Sequence, residues 1–270
     1  MMTQKLRLAL LGLLAFALNA CGNKEQPTET QRELTPGEQL LAKSTDAHGG
    51  VAGWKDGGQL RFRWTYHAED MNKVIDSLQT VDTSTYAVAH EADDGKVRFG
   101  WNDGTAWISP ADATFNSPPE FWSLTPTYFV GIPFVFSNPG TKLERLEETK
   151  AFEGKDYLQL KVTYESSAGD SPDDYYVLLI DPETYVTRGA YYIVTHPSVA
   201  AKGVGPEKFI TLDGLRQIGG VLLPTAHKTH QMTDGIIGEK MRYSVVSHLE
   251  WLPKGTTDLS IPEGARIIGE

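Results

Sequence analysis

The nine residues QLRFRWTYH (59–67) alternate between apolar and polar side chains. Leu60, Phe62, Trp64 and Tyr66 occupy every second position, and charged or hydrogen-bonding residues stand between them. Side chains of an extended chain point to opposite faces in turn, so this pattern predicts a strand with one apolar face. The segment is therefore expected to cover a core with one side and to meet solvent with the other.

Further strand-forming segments follow, and short turns join them. VRFGWNDGTAWIS (97–109) predicts a hairpin, because Asn102-Asp103-Gly104 supplies turn residues between two aromatic strands. Similar turns are centred on Glu153-Gly154, Asp181–Thr184 and Gly219-Gly220, and 240–252 predicts one more strand. The sequence thus predicts a mainly β (α+β) protein with about ten or eleven strands. Their meander order implies antiparallel pairing.

A helix is predicted before the first strand. Thr35 is a favourable N-cap, Pro36 fits the first helical position, and Glu38 completes a capping box. The helix is expected to end at Gly49-Gly50, since glycine commonly terminates helices. His48 would then lie at the helix C-terminus, where the helix dipole favours a charged imidazolium. We regard His48 as a candidate functional residue.

The segment 110–140 interrupts the strand pattern. Its second half, TPTYFVGIPFVFSNPG (125–140), carries three prolines among large apolar residues. It is too broken for a regular helix and too rich in proline for a central strand. An apolar insertion of this length is either part of the core or the wall of a ligand cavity, and the sequence leaves both readings open.

The N-terminus has the features of an export signal. Lys5 and Arg7 precede an apolar run of 11 residues, Leu8–Leu18. This run is too short to span a bilayer, which needs about 20 apolar residues. Ala20 then precedes Cys21, the only cysteine in the chain.

This arrangement resembles the lipobox of bacterial lipoproteins. The resemblance implies that residues 1–20 are removed and that acyl chains such as palmitate are attached to Cys21. Residues 21–34 are polar and are expected to form a flexible tether to the membrane. Gly22, rather than aspartate, follows the cysteine, which resembles lipoproteins released to the outer membrane, facing the periplasm.

The charge of the chain argues against nucleic acid as a partner. The formal net charge is −10, and loss of Lys5 and Arg7 with the signal peptide would make it two units more negative. No cluster of lysine and arginine occurs that could neutralise phosphates. Partners are instead expected to be a lipid or acyl ligand, the membrane through Cys21, and other envelope proteins.

Motifs for catalysis or metal binding are absent from the sequence. Neither a Gly-x-Ser-x-Gly elbow nor a His-Glu-x-x-His motif occurs, and Gly203-Val-Gly205 lacks the third glycine of a phosphate loop. His227 and His230 are expected on opposite faces of one strand. The acidic groups around His90 and around Asp170, Asp173 and Asp174 are interpreted as solvated turns. No catalytic residue, metal or cofactor is predicted.

The C-terminal segment DLSIPEGARII (258–268) is similar to the final strand and turn of the lipoprotein-localisation (LolA/LolB-like) superfamily. This resemblance implies an incomplete β-barrel of about eleven strands, lidded by helices around an apolar cavity. In that superfamily a soluble carrier holds lipoprotein acyl chains, and an anchored receptor accepts them. His48-Gly49-Gly50, Trp54 and 128–140 look closer still to a family of uncharacterised envelope lipoproteins.

These observations lead to a functional hypothesis. Residues 35–270 are expected to form one LolA/LolB-like domain, in which the insertion 110–140 is a lid over a half-barrel. The domain would bind an acyl chain or a lipoprotein's lipid without chemical turnover. The first alternative is a docking lipoprotein with a filled core, and the last is a hydrolase or metal-dependent enzyme. The candidate ligand-binding residues are Trp64, Phe121, Trp122, Tyr128, Phe129, Phe134 and Phe136. The candidate sheet-side walls are Val74, Ile75, Leu78, Leu160, Val162, Val177, Leu179 and Tyr192.

Lipidation is tested by Cys21→Ser. The substitution removes the only thiol of the chain, so metabolic labelling with radioactive palmitate is expected to fall to background. Fractionation should then show loss of the membrane-bound pool. Acyl labelling that survives the substitution would contradict the lipobox interpretation.

Overall fold

A large antiparallel sheet dominates the computed structural model of the protein, which describes residues 32–166, 171–200 and 204–269. The predicted signal peptide, Cys21, most of the tether and Asp170 lie outside the described residues. The part of the chain from Leu34 onward forms one compact unit. Within the described ranges, no helix is long and apolar enough to cross a membrane.

The described residues form sixteen strands, five α-helices and two 3-10 helices. The strands are β1 Gln59–Ala68, β2 Lys73–Asp82, β3 Val88–Ala92, β4 Val97–Asn102, β5 Thr105–Ser109, β6 Thr141–Arg145, β7 Lys150–Phe152, β8 Lys155–Tyr164, β9 Tyr176–Ile180, β10 Thr187–Tyr192, β11 Lys208–Thr211, β12 Arg216–Ile218, β13 Val221–Leu223, β14 Ala226–Thr233, β15 Ile236–Leu252 and β16 Arg266–Ile268. The α-helices are α1 Pro36–Ala47, α2 Val51–Asp56, α3 Pro119–Trp122, α4 Thr125–Val130 and α5 Pro197–Ala200, and the 3-10 helices are Glu69–Met71 and Phe134–Ser137.

Fourteen strands share the sheet, in the order β16-β5-β4-β3-β2-β1-β15-β14-β11-β10-β9-β8-β6, with β7 paired to β8. Every pairing is antiparallel. The sheet ends at β16 and β6, and these two strands do not pair with each other in the described chain, so the barrel is incomplete. The predicted fold class, a mainly β half-barrel with an N-terminal helix and a mid-chain helical lid, is confirmed.

The predicted turns are confirmed where they depend on local geometry. The β4–β5 hairpin turns at Asp103 and Gly104, with φ of 45° and 81°. The β7–β8 hairpin turns at Glu153 and Gly154, with φ of 49° and 78°. Such left-handed pairs match the twist of two-residue hairpins. The strand β1 also buries Leu60, Phe62 and Trp64 as its alternation predicts.

Three features depart from the predicted meander. The long strand β15 lies beside β1, where Trp64 faces Val246, and so joins the two halves of the sheet. The ribbon β12–β13, which turns at Gly219-Gly220, stands apart from the large sheet. The short helix α2, which carries the fully buried Trp54, lies between α1 and β1, where the sequence analysis predicted no helix.

The helix α1 begins as predicted and covers the end strand β6. Thr35 and Glu38 form the capping box. At Gly37, a Cβ atom would lie 2.4 Å from the carbonyl oxygen of Leu143 in β6, so only glycine permits this approach. The helix ends where Gly49 adopts a φ of 108°. Close backbone packing of α1 therefore shields one open edge of the sheet.

Two histidines are fully enclosed by the sheet and the insertion. The ring of His90 receives a hydrogen bond from the Ser77 hydroxyl (3.0 Å) and donates one to the Ser123 carbonyl oxygen (2.9 Å). His227 lies 5.0 Å from the Trp64 ring, centroid to centroid. Burial lowers the pKa of each to about 4. Both rings are therefore neutral at pH 7.

This burial predicts that stability falls in mild acid. A histidine of the unfolded chain has a pKa near 6.5, so below that pH the unfolded state binds protons that the folded state does not bind. Stability is retained above about pH 6.5 and lost as pH falls from there toward about 4. Between pH 7 and pH 5, urea unfolding should show a loss of roughly 1–2 kcal/mol for each buried histidine.

The variant His90→Gln is expected to lose less stability between pH 7 and pH 5 than the parent protein, by the contribution of one buried histidine. This holds whatever the substitution does to the stability at pH 7. His248→Asn is the matched control, because His248 is exposed and asparagine tolerates its positive φ of 53°. A free energy of unfolding that is independent of pH between 7 and 5 would contradict the assignment.

Candidate ligand-binding cavity

The insertion 110–140 lies on the concave face of the sheet. It is built from the short helices α3 and α4 and the 3-10 helix Phe134–Ser137. Pro119 and Pro126 each stand in the first turn of a helix, where a missing N–H group costs nothing. Val130, Ile132 and the 3-10 helix then enter the main core together with Leu60 and Phe62 of β1.

One end of the insertion fills the space beneath it completely. Phe134 stacks on Trp54 of α2 with ring centroids 5.4 Å apart and planes 5° apart, and its edge meets His48 at 6.1 Å. Phe136 packs against Tyr176, with centroids 5.1 Å apart. Neither phenylalanine is exposed to solvent. This end of the half-barrel is a dry core.

The other end leaves a cavity of about 360 Å³ between the insertion and the sheet. Its lining includes Phe129, Tyr176 and Tyr192, which are buried, and Thr85 and Pro139, which are exposed at its rim. The complete lining consists of Thr85, Tyr86, Trp101, Glu120, Phe121, Leu124, Thr125, Tyr128, Phe129, Val135, Asn138, Pro139, Thr141, Tyr164, Ser171, Asp174, Tyr176, Tyr192, Val194 and His196. The cavity thus reaches from the surface to the aromatic core.

The candidate ligand-binding residues divide between the two ends. Phe121, Tyr128 and Phe129 line the cavity. The other four candidates are packed into the protein and do not line it: Trp64, Trp122, Phe134 and Phe136.

Trp64 lies beneath Phe129, with centroids 6.3 Å apart, and Trp122 packs on Tyr66 at 5.1 Å. Trp64 therefore supports the cavity floor from behind. Trp122 belongs to a separate apolar cluster with Phe99 and Ile108.

Among the candidate sheet-side walls, Tyr192 lines the cavity and the other seven do not. Leu160 and Val162 belong to the filled core. Val74 is 48% exposed, and Leu179 packs with Phe209 in a cluster apart from the main core. On β9 the side chains that point into the main core are Leu178 and Ile180, and not the predicted Val177 and Leu179. The sequence of this strand has no polar positions, so it does not indicate which side chains point inward.

The lining tyrosines were missed by the sequence analysis, apart from Tyr128 and Tyr192. Tyr176 and Tyr192 face each other across β9 and β10, and their rings stack at 5.7 Å. Tyr164 ends β8 beside them. The sequence does place tyrosines at the ends of consecutive strands, which could have indicated a shared site. The register of strand pairing, which the sequence does not give, is what makes them neighbours.

His48 has a defined position outside the cavity. Its Nε2 atom accepts a hydrogen bond from the backbone N–H of Thr187 (3.1 Å), so its Nδ1–H donates to the Leu222 carbonyl oxygen (3.0 Å). Burial lowers the pKa of His48, and the ring is neutral. The expected imidazolium at the helix C-terminus is therefore wrong, since a charged ring would lose the bond from Thr187.

Metal-binding side chains are not brought together. Among the residues that the structure describes, no group of three His, Cys, Asp or Glu side chains lies close enough to hold a metal ion. His230 donates a hydrogen bond from its Nδ1 atom to the Gly238 carbonyl oxygen (2.9 Å), away from the buried His227. Asp174 accepts hydrogen bonds from the N–H and hydroxyl of Thr195, at 2.6 and 2.7 Å.

Comparison with known proteins identifies the family. Residues 64–202 match the sequence profile of a family described as "Family of unknown function (DUF6503)". The chain belongs to this family. The DUF6503 range includes the insertion and every residue that lines the cavity. No curated protein matches the chain.

Two solved structures are similar to the chain. A LolA-superfamily protein from Nitrosomonas europaea has a TM-score of 0.51 and 11% identity, over 85% of this chain and 96% of that one. A DUF1329 family protein from Desulfovibrio piger has a TM-score of 0.48 and 12% identity, over 81% and 94% of the two chains. The similarity to the LolA-superfamily structure shows that this DUF6503 member has a LolA-like fold.

The two ends of the insertion should respond differently to truncation. Phe134→Ala opens a void in the filled end and is expected to lower the free energy of unfolding by about 3–5 kcal/mol. Phe121→Ala removes a half-buried ring at the cavity and should cost roughly 1 kcal/mol or less. Chemical denaturation of the two variants measures the difference. Equal losses would mean that the insertion packs uniformly along its length.

Proposed function

We propose that this protein is a lipid-anchored envelope lipoprotein that binds an apolar ligand in the cavity, without chemical turnover. The ligand class is an acyl chain, free or as part of a lipoprotein's lipid. The anchor is Cys21, and the location is the outer membrane, with the domain facing the periplasm. The cavity between the insertion and the concave face of the sheet carries this proposal.

The size and lining of the cavity support an apolar ligand. Its volume of about 360 Å³ falls in the range of small-molecule sites, about 300–1,000 Å³. Aromatic and aliphatic side chains from both the insertion and the sheet form most of its wall. An acyl chain gains about 0.8 kcal/mol for each methylene that it buries there.

The filled end of the insertion supports a preformed site. The stack of Phe134 on Trp54 and the packing of Phe136 on Tyr176 fix the insertion beside the cavity. The insertion is therefore already ordered in the folded protein, so ligand binding does not have to supply the entropic cost of ordering it. Phe136 also touches a lining residue directly, which links the dry core to the cavity wall.

The position of His48 supports binding without turnover. Both ring nitrogens are engaged with backbone atoms of Thr187 and Leu222, and the side chain is fully buried. A general base needs a free lone pair within reach of the substrate. His48 instead ties the end of α1 to β10 and β13.

A docking lipoprotein with a filled core is the second candidate. The observation that favours it is the complete burial of Trp64, Phe134 and Phe136, which occupy the concave face. Under that proposal the remaining cavity would be a packing remnant, and an outer surface of the domain would bind an envelope partner.

Blocking the cavity distinguishes these two functions. Val194 lines the cavity, whereas its neighbour Ile193, of similar exposure, does not. The chain from residue 21 with Cys21→Ser is purified and titrated with a fluorescent acyl probe, and co-purified lipid is sought by native mass spectrometry. Val194→Trp is expected to reduce probe affinity about tenfold or more, by occupying the space of several methylenes.

Ile193→Trp is the matched control and should leave binding unchanged. Absence of both co-purified lipid and probe uptake in the parent protein would overturn the carrier proposal in favour of docking. Equal binding by the two tryptophan variants would place the probe elsewhere on the molecule.

A further inference from the structure

Four of the polar residues that line the cavity interact with one another. Tyr128, Tyr164 and Tyr176 line it together with Asp174. Electrostatic interactions link Tyr164 with Tyr128 and Asp174, and the same groups act on Tyr176. We call these four residues the tyrosine–aspartate cluster. The polar atoms of a ligand that fills the cavity would contact this cluster.

The Tyr164 hydroxyl in this cluster has no hydrogen-bond partner among the described residues. A buried hydroxyl without a partner destabilises a protein, since it has lost water and gained nothing. Burial also raises the pKa of Tyr164 and Tyr176, which keeps both phenols protonated and able to donate. A carbonyl oxygen of a ligand would supply the acceptor that the Tyr164 hydroxyl lacks.

Two carboxylates and one histidine, His196, are the titratable acid and imidazole groups of the described lining, and His196 interacts electrostatically with Asp174. Glu120 and Asp174 are the acidic residues of the lining, and neither lysine nor arginine occurs among the described lining residues. Asp174 is held in place by the backbone and hydroxyl of Thr195. An anionic head would therefore meet carboxylates without a compensating lysine or arginine in the described lining.

We propose that the cavity selects acyl chains with an uncharged carbonyl head, such as an ester or amide, and rejects anionic amphiphiles. Tyr164 donates to the head carbonyl, and Asp174 repels a carboxylate or phosphate in its place. This inference rests on the proposed function and adds its ligand class. Acyl groups in ester or amide linkage qualify, and ionised fatty acids do not.

Ligands of equal chain length test the selectivity. Monolaurin and laurate differ at the head alone, as an uncharged ester and a carboxylate. The chain from residue 21 with Cys21→Ser is titrated with each at pH 7.5, below the concentration at which micelles form. Monolaurin is expected to bind about tenfold or more tightly than laurate, because like charges in a partly buried site repel strongly.

Asp174→Asn isolates the repulsion. The amide oxygen still accepts from Thr195, so the loop geometry is retained while the charge is removed. Laurate affinity should rise several-fold, and monolaurin affinity should stay the same. Asp173→Asn is the matched control, since Asp173 is exposed and does not line the cavity.

Tyr164→Phe isolates the hydrogen bond. Loss of one bond to the head carbonyl should weaken monolaurin about three- to tenfold. The midpoint of thermal unfolding should not fall, because the lost hydroxyl had no partner to lose. Tyr185→Phe is the control, since the Tyr185 hydroxyl contacts Lys43 outside the cavity.

Laurate binding as tightly as monolaurin would overturn the selectivity and leave the proposed carrier function standing. Failure of both ligands to bind would overturn the carrier function and this inference with it. An unchanged monolaurin affinity in Tyr164→Phe would exclude Tyr164 as the donor and contradict the assigned orientation of the ligand.

Discussion

The stacking of Trp54 on Phe134 holds the insertion against the concave face of the half-barrel. An incomplete barrel exposes the apolar concave face of its sheet, and something must cover that face for the fold to persist in water. Trp54 comes from α2, which precedes the sheet, and Phe134 from the insertion, so their contact joins two distant parts of the chain at 5.4 Å. Gly131 permits this approach, since a Cβ there would lie 2.9 Å from the Trp54 ring.

Local patterns predicted most of the secondary structure. The capping box at Thr35, the alternation of 59–67 and the turn at Asp103-Gly104 depend on neighbours in sequence, and each is confirmed. The pairing of β15 with β1 escaped prediction, because it joins residues as far apart as Gln59 and Leu252 and no local rule selects that partner. Helix α2 has six residues, too few for a helical period to be recognised.

The candidate site was harder to predict than the fold for a physical reason. Proline breaks the insertion into short pieces, so neither helical nor strand periodicity indicates which aromatic ring points where. Phe129 and Phe134 are equally apolar, yet Phe129 lines the cavity and Phe134 fills the core. The sequence therefore identified the segment that covers the sheet. Packing against Trp54 and Trp64 decided which of its residues line the cavity.

Tyr164 differs from the phenylalanines of the filled core in carrying a hydroxyl. Phe62, Phe134 and Phe136 occupy the filled core, where a hydroxyl would have no partner. Tyr164 lines the cavity, although phenylalanine would cover the same apolar area without the cost of burying a hydroxyl that has no partner among the described residues. A polar group kept at such a cost, in a cavity open at its rim, is accounted for when a ligand supplies the missing acceptor. Under the proposed function, the aromatic rings hold the chain of the ligand, and the Tyr164 hydroxyl and Asp174 select its head.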